Sequence, residues 1–267
     1  MMPLSDCPRS VLASVQGVLT DIDETVSTAS RLTAGAYGAL EALKEAGFLV
    51  VPVTGRPAGW CDHIARFWPV DAVVGENGAF WMWLDKSAGK LRTRFVQSDA
   101  ERAEGRRRLE AVREEVLRAV SGCGIASDQP YRLADLAVDF CEDVPALPRA
   151  EVDRIVAVFE KHGAHAKVSS IHVNGWFGDY DKLTTSKTMM RELFGVDLGA
   201  ARERYVYSGD SPNDSPMFGY FPNAVGVANV RDFADAMPHL PRWITTARSG
   251  AGFVELAEAL IVAKRGD

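Results

Sequence analysis

Two apolar runs constrain this chain more than any other feature: "VQGVLTD" at 15–21 and "FLVVPVTG" at 48–55. A strand with one face in water alternates polar and apolar residues; a near-continuous run predicts a strand covered on both faces. Between them "TAGAYGALEALKEAG", 33–47, predicts a helix with Thr33 as N-cap and Gly47 as its stop. "PAGWCDHIARFW" follows as a helix with Pro57 in its first turn. "DAVVGENGAFWMWL" then reads as a strand, a turn at Asn77-Gly78 and a second strand. This β-α-β-α-β order predicts a Rossmann-like, doubly wound parallel sheet.

From about residue 84 the pattern changes. "DAERAEGRRRLEAVREEVLRAV" reads as a charged amphipathic helix with Leu109, Val112, Val116 and Leu117 on its apolar stripe. Short strands ("LADLAVDF", "AKVSS", "IHVNGWFG") and the helix "RAEVDRIVAVFEKHG" complete an α+β segment. From about 183 the strand–helix alternation returns, through "SKTMMRELFG", "RYVYSGD", "NDSPMFGYF", "AVGVAN", "RWITT" and "AGFVELAEALIVAKR". The expected fold class is therefore α/β: a core of 1–83 and 183–267, with 84–182 inserted as an α+β domain.

Apolar residues make up 47% and charged residues 25%, the balance of an ordinary globular protein. The net charge of −6 supplies no basic field for nucleic acid or an anionic membrane surface. The Arg106-Arg107-Arg108 run is interleaved with glutamates and reads as a solvated face. Cys7, Cys61, Cys123 and Cys141 form no C-x-x-C, so zinc or redox chemistry has little support. "MMPLSDCPRS" lacks the layout of a signal peptide, and no apolar run approaches about 20 residues, so a cytoplasmic location is expected.

In an open α/β sheet, ligands bind beyond the carboxyl ends of the strands. Four such places carry polar residues: Asp21-x-Asp23, Thr54-Gly55-Arg56, the region of Lys187, and "SGDSPND" with Asp210 and Asp214. In extended backbone, residues i and i+2 share a face, so Asp21 and Asp23 are expected side by side. Clustered carboxylates in a crevice are costly without a cation, and a hard, oxygen-preferring ion such as Mg2+ suits them. A carboxylate about 4 Å from a phosphate dianion meets a repulsion on the order of 8 kcal/mol at an effective dielectric near 20. A divalent ion bridging the two would offset most of that. A second carboxylic acid beside a nucleophilic one can protonate the departing alkoxide and then deprotonate water.

D-x-D-x-T, T-G-R, a Lys at a helix start and G-D-x-x-N-D, in that order, resemble the haloacid dehalogenase (HAD) superfamily of phosphohydrolases. "GENGAF", "GDSPNDSPMF" and "AVGVANVRDFADAM", with the insert between T-G-R and the Lys helix, resemble its branch of Cof-type, sucrose-phosphate and mannosyl-3-phosphoglycerate phosphatases (subfamily IIB, C2-type cap). The resemblance spans roughly 10–83 and 183–262; the insert matches by position and element pattern only. It implies Asp21 as nucleophile through an aspartyl phosphate and Asp23 as general acid/base. It implies phosphate contacts from Thr54, Gly55, Lys187 and Asn213. Mg2+ would be held by Asp21, the backbone carbonyl of Asp23 and Asp210, with Asp214 either a ligand or a partner that holds the ligands, and the insert would be a specificity cap. Lys182 competes for the lysine role; "SKTMMREL" favours Lys187. Glu24 stands where the family most often has Gly, which places an extra carboxylate near the mouth of the site.

Arg56 reads equally as a substrate contact or as partner to a core carboxylate. Asn77 reads first as a turn residue and second as a contact. His172 and Asn174, where the insert returns to the core, are candidate substrate contacts. Trp60, Trp68, Trp81 and Trp83 read as packing. The expected activity is Mg2+-dependent hydrolysis of a small phosphorylated metabolite, foremost a sugar phosphate, by a monomer or small homo-oligomer. The alternatives are a phosphotransferase or mutase on the same aspartyl phosphate, and a non-catalytic phospho-ligand binder. A signalling receiver domain has its acidic pair and phosphoacceptor before its Thr and Lys but lacks the later G-D-x-x-N-D and the large insert.

Overall fold

The computed structural model describes residues 1–169 and 171–266. Ser170, the last residue of the expected "AKVSS" strand, and the terminal Asp267 lie outside them. The chain begins with β1 (Met2–Pro3), α1 (Arg9–Ser14), β2 (Gly17–Thr20), α2 (Ala34–Glu45), β3 (Leu49–Pro52), α3 (Ala58–Phe67), β4 (Val73–Gly75), β5 (Phe80–Asp85) and β6 (Lys90–Phe95). The insert follows with α4 (Asp99–Ala119), β7 (Gly124–Ile125), β8 (Leu136–Asp139), α5 (Arg149–Lys161), β9 (His165–Val168) and β10 (His172–Trp176). The return comprises α6 (Lys182–Phe194), α7 (Leu198–Ala201), β11 (Tyr205–Gly209), α8 (Ser215–Tyr220), β12 (Val225–Gly226), β13 (Trp243–Ile244) and α9 (Ser249–Arg265).

The main sheet has the order β1-β13-β12-β11-β2-β3, with every pairing parallel. The double coverage expected of β2 is present. Val18 packs in a layer with Leu40 and Leu43 of α2 and Phe253, Leu256 and Leu260 of α9. Its neighbour Leu19 packs on the opposite side with Met189 and Met190 of α6 and Met217 and Phe218 of α8. Both side chains are fully buried, each worth about 1.5–3 kcal/mol. Thr33 caps α2 as expected, its hydroxyl accepting the N–H of Ala36 at 3.2 Å. β1 extends the sheet beyond β13, and two residues carry no period from which a strand could be read.

The insert forms an antiparallel sheet, β7-β8-β10-β9, with α4 and α5 packed on it. Leu109, Val112 and Val116 are buried there, but Leu117 is 45% exposed, since it lies about 100° round the helix from Val116. β4, β5 and β6 form a third, antiparallel sheet. Its β5–β6 ladder crosses residue 83, pairing Trp83 with Arg92 and Leu84 with Leu91. Its Phe80, Met82, Leu91 and Phe95 pack with Ile22 and Ile64 of the core. Trp81 is buried, whereas Trp60 is 46% exposed and lies against the Arg56 guanidinium, 4.9 Å from the ring centroid.

One fully buried carboxylate joins core to insert. Glu76 accepts the N–H of Ala58 (3.0 Å) at the start of α3, and those of Leu133 (2.9 Å), Ala134 (2.6 Å) and Asp135 (3.2 Å) in the insert. Burial pushes its carboxyl up to about 7; Asp135 adds to the rise, while Arg132 and the N–H donors oppose it. Glu76→Ala strands these donors, most of them buried, so we expect a loss of about 3 kcal/mol. The melting temperature should fall by roughly 6–12 °C in a thermal scan. A fall below about 2 °C would mean that water replaces the carboxylate.

Candidate active site

The chain runs from β2 to β3 on one side, then returns after the insert to β11 on the other side of β2. That reversal opens a crevice at the carboxyl ends of β2 and β11. Thr20 is in register with Ser208, so the segments leaving the two strands, with Asp21 and Asp210, emerge side by side. Ile22 turns into the apolar cluster beneath the hairpin, while Asp21 and Asp23 both line the crevice.

Asp21, Asp210 and Asp214 are buried, and one carboxylate oxygen from each lies within 4.8 Å of the others. Asp210 leaves β11 and accepts from Asn229 Nδ2 at 2.8 Å, with the Thr25 hydroxyl at 3.4 Å. No cationic side chain among the described residues pairs with it at ion-pair distance. Burial pushes the Asp210 carboxyl well above the usual range, and the neighbouring Asp214 and Asp21 add to the rise. Three oxygen donors without His or Cys, one of them a buried acid lacking a cation, fit a hard divalent ion such as Mg2+.

Asp214 is held from both sides. Its Oδ2 accepts the N–H of Asp210 (3.0 Å) and Ser211 (3.2 Å), and its Oδ1 accepts from the Tyr207 hydroxyl and from Lys182 Nζ (2.7 Å). Gly209 permits this, because a Cβ there would stand 2.5 Å from Asp214 Oδ2.

The lysine in the crevice is Lys182, not Lys187. Asp181 and Thr184 form a reciprocal cap, side chain to backbone in both directions, that starts α6 at Lys182, four residues before "SKTMMREL". Lys182 is 4% exposed and donates to Asp21 Oδ1 at 2.8 Å as well as to Asp214. Burial opposes its charge, but the two aspartates outweigh that and raise its pKa. Five residues further on, about 140° round the helix, Lys187 is exposed with its Nζ 5.2 Å from the Tyr220 ring centroid. Burial pushes the Asp21 carboxyl up to about 7, with Lys182 opposing and Asp214 and Asp23 adding to the rise.

Thr54 Oγ1 is buried at the end of β3 and accepts the Arg56 N–H at 3.0 Å, which leaves its own O–H to donate. Gly55 lines the crevice, and a Cβ on it would meet the Asn77 side chain at 3.2 Å. Asn77 sits in the turn between β4 and β5 at φ 54°, with its N–H on Thr54 O at 3.0 Å. Its buried Nδ2 has no hydrogen-bond partner, and it lines a groove with Lys182 and Asn213. Asn213 also borders the crevice, its Oδ1 accepting from the Ser211 hydroxyl at 2.8 Å.

Asp23 stands outside the carboxylate cluster. Arg56 grips it bidentately, Nε and Nη2 at 2.9 and 2.8 Å from Oδ1, and also reaches Asp128 (3.6 Å) and Glu142 (3.5 Å) of the insert. The pairing with Asp23 fits the reading of Arg56 as partner to a core carboxylate. His172 and Asn174, on β10, close the crevice over Asp21 and Asp23. Asn174 Nδ2 donates to Asp135 at 2.9 Å, and His172 Nε2 lies 2.8 Å from Glu142 without the alignment of a hydrogen bond. The enclosed space is about 20 Å³, roughly room for one water.

The sequence reading missed Asp128, Arg132, Asp135 and Glu142, which crowd the crevice from the insert. Arg132 pairs with Asp128 (2.8 Å) and Asp135 (3.0 Å) and donates to Gly55 O (3.0 Å). Their spacing is that of ordinary surface pairs, so no sequence signal marked them. Glu24 is at φ 54°, a conformation that favours glycine. Its carboxylate accepts from the Ser249 hydroxyl at 2.9 Å and the Ser30 N–H at 3.4 Å, so serine donors, not an open site mouth, receive it.

No protein-family model and no curated protein matches the chain. Among solved structures it resembles the C-terminal domain of C. albicans trehalose-6-phosphate phosphatase, with TM-score 0.71 at 13% identity over 98% of each chain. It also resembles a putative HAD/COF-like hydrolase from Plasmodium vivax, with TM-score 0.67 at 15% identity, covering 94% of this chain and 98% of that one. The sucrose-phosphatase of Synechocystis sp., solved with sucrose and phosphate, gives TM-score 0.64 at 14% identity, with 92% and 98% covered. The fold of this chain is that of these three proteins.

Proposed function

We propose that this chain, built on the HAD-type fold, is a phosphomonoesterase that works through an aspartyl phosphate on Asp21. The observation that carries this reading is the convergence, at one sheet crevice, of Asp21, Asp23, Thr54, Lys182, Asp210 and Asp214. Similarity to proteins named as sugar-phosphate phosphatases supports it.

Asp21, Asp210 and Asp214 would hold Mg2+, whose charge would lower the repulsion between a phosphate and the nucleophilic carboxylate. Lys182 and the Thr54 hydroxyl then bind phosphate oxygens and match the charge that spreads over them in the transition state. Asp21 forms a bond to phosphorus as the bond to the leaving oxygen breaks, and Asp23 delivers a proton to that oxygen. Asp23 next takes a proton from water as it attacks the phosphorus, which releases phosphate and restores Asp21. Arg56 orients Asp23 throughout. A space of about 20 Å³ admits no sugar, so the insert lifts to let substrate in and closes to exclude water.

Phosphate release from a panel of phosphorylated metabolites, with Mg2+ and with EDTA, tests this reading. Release that falls at least 100-fold in EDTA and returns with Mg2+ is expected. Release indifferent to EDTA would remove the ion from the account.

A further inference from the structure

We infer, resting on the phosphatase reading above, that Asn77 is a further catalytic residue, its side-chain amide donating to an oxygen of the phosphoryl group beside Lys182. The observation that carries this is an orphaned donor. Asn77 is 3% exposed, and its buried Nδ2 finds no hydrogen-bond partner among the described residues. Leaving a buried amide unmet is costly, so folded chains seldom keep one without a use. The groove that Asn77 lines with Lys182 and Asn213 holds about 50 Å³, room for a few water-sized groups. Asn213 also lines the crevice over Asp21, so the two spaces meet at that residue.

The turn around Asn77 is strained and tied down on both sides. Glu76 and Asn77 are consecutive non-glycine residues at positive φ, 44° and 54°, which such residues rarely hold. The Asn77 N–H donates to Thr54 O at 3.0 Å, and the Thr185 hydroxyl donates to Gly78 O at 2.6 Å. Asn77 is thereby pinned between Thr54-Gly55 and the first turn of α6, the segments that carry Thr54 and Lys182. Strain kept at such a junction points to function. A phosphoryl group offers three strong acceptor oxygens, so Lys182 and the Thr54 hydroxyl leave capacity for a further donor. A neutral amide held in a dry site supplies that hydrogen bond without adding charge.

Asn77→Gly removes the donor and tolerates the positive φ; Asn77→Asp keeps the shape and turns the donor into an acceptor. Each should lower kcat/KM by about 10²-fold or more, the scale of losing one oxyanion donor. The factor should agree to within about threefold between p-nitrophenyl phosphate and every metabolite turned over, because the phosphoryl group is common to all. Inorganic phosphate at about 10 mM with Mg2+ should raise the melting temperature of wild type, and that rise should at least halve in Asn77→Gly. In wild-type crystals soaked in tungstate, an anion oxygen should lie within about 3.2 Å of Asn77 Nδ2. A turn role alone would lower the melting temperature and leave turnover and phosphate protection intact; that result would overturn the inference. So would a loss confined to one leaving group, or a tungstate held away from the amide. The soak needs no variant, so it decides even where both substitutions prevent folding. No Asp21-dependent release from any compound, the aryl ester included, would instead overturn the phosphatase reading on which the inference rests.

Discussion

Asp21→Asn is expected to lower phosphate release by at least about 10⁴-fold, the scale on which loss of a covalent nucleophile is felt. The fold should survive, and the sign of the electrostatics says why. Burial raises the Asp21 carboxyl to about 7 in the folded protein, against a usual value near 3.8. Its stabilising contribution is therefore complete below the unfolded value and is lost as pH rises through about 7. At pH 8 the charged carboxylate burdens the fold, and a neutral amide of the same shape removes that burden while giving up a contact to Lys182. Thermal scans at pH 8 in EDTA should place Asp21→Asn within about 2 °C of wild type, or above it. The comparison should shift in favour of wild type as pH falls toward 5. Substantial residual release from a folded Asp21→Asn would take the nucleophile role from this residue.

Lys182→Ala should damage both stability and activity, and Lys187→Ala neither. Removing the ammonium leaves the buried Asp21 and Asp214 facing each other without their shared counter-ion. Breaking a buried pair in this way costs about 3–5 kcal/mol, or roughly 6–20 °C in melting temperature. Turnover should fall by about 10²–10³-fold, the usual consequence of losing one donor to a developing oxyanion. Lys182→Met keeps most of the apolar stem, so activity lost in that variant reports the charge rather than a cavity. Lys187 contributes a partly exposed contact with an aromatic ring, worth at most about 1 kcal/mol. Its alanine variant should stay within twofold of wild type in turnover. The reverse ranking of the two lysines would show that the crevice geometry misplaces the phosphate.

The two lysines also mark where sequence reasoning stops. "DKLTTSK" offers two helix starts, and the family resemblance favours the one at "SKTMMREL". The capping exchange between Asp181 and Thr184 decides in favour of the other, and the five-residue offset turns the unused lysine toward Tyr220. The same contrast holds for the hairpin. Its β5 was legible from the apolar run, but which side of residue 83 that strand served depended on pairing with β6 and packing against Ile22 and Ile64.

What the sequence by itself determined was the part set by local physics. Continuous apolar runs demanded strands covered on both faces, and polar residues at their carboxyl ends marked the crevice, as Asp21, Asp23, Thr54, Asp210 and Asp214 did. What only the tertiary structure decided were the partners brought from far along the chain. Arg56 grips Asp23 and reaches Glu142, Glu76 gathers the N–H groups of Leu133, Ala134 and Asp135, and Lys182 stands between Asp21 and Asp214. Each joins charges or dipoles 32 to 161 positions apart. No periodicity encodes such pairs, because their energy exists only once burial has removed the water that would otherwise solvate each group alone.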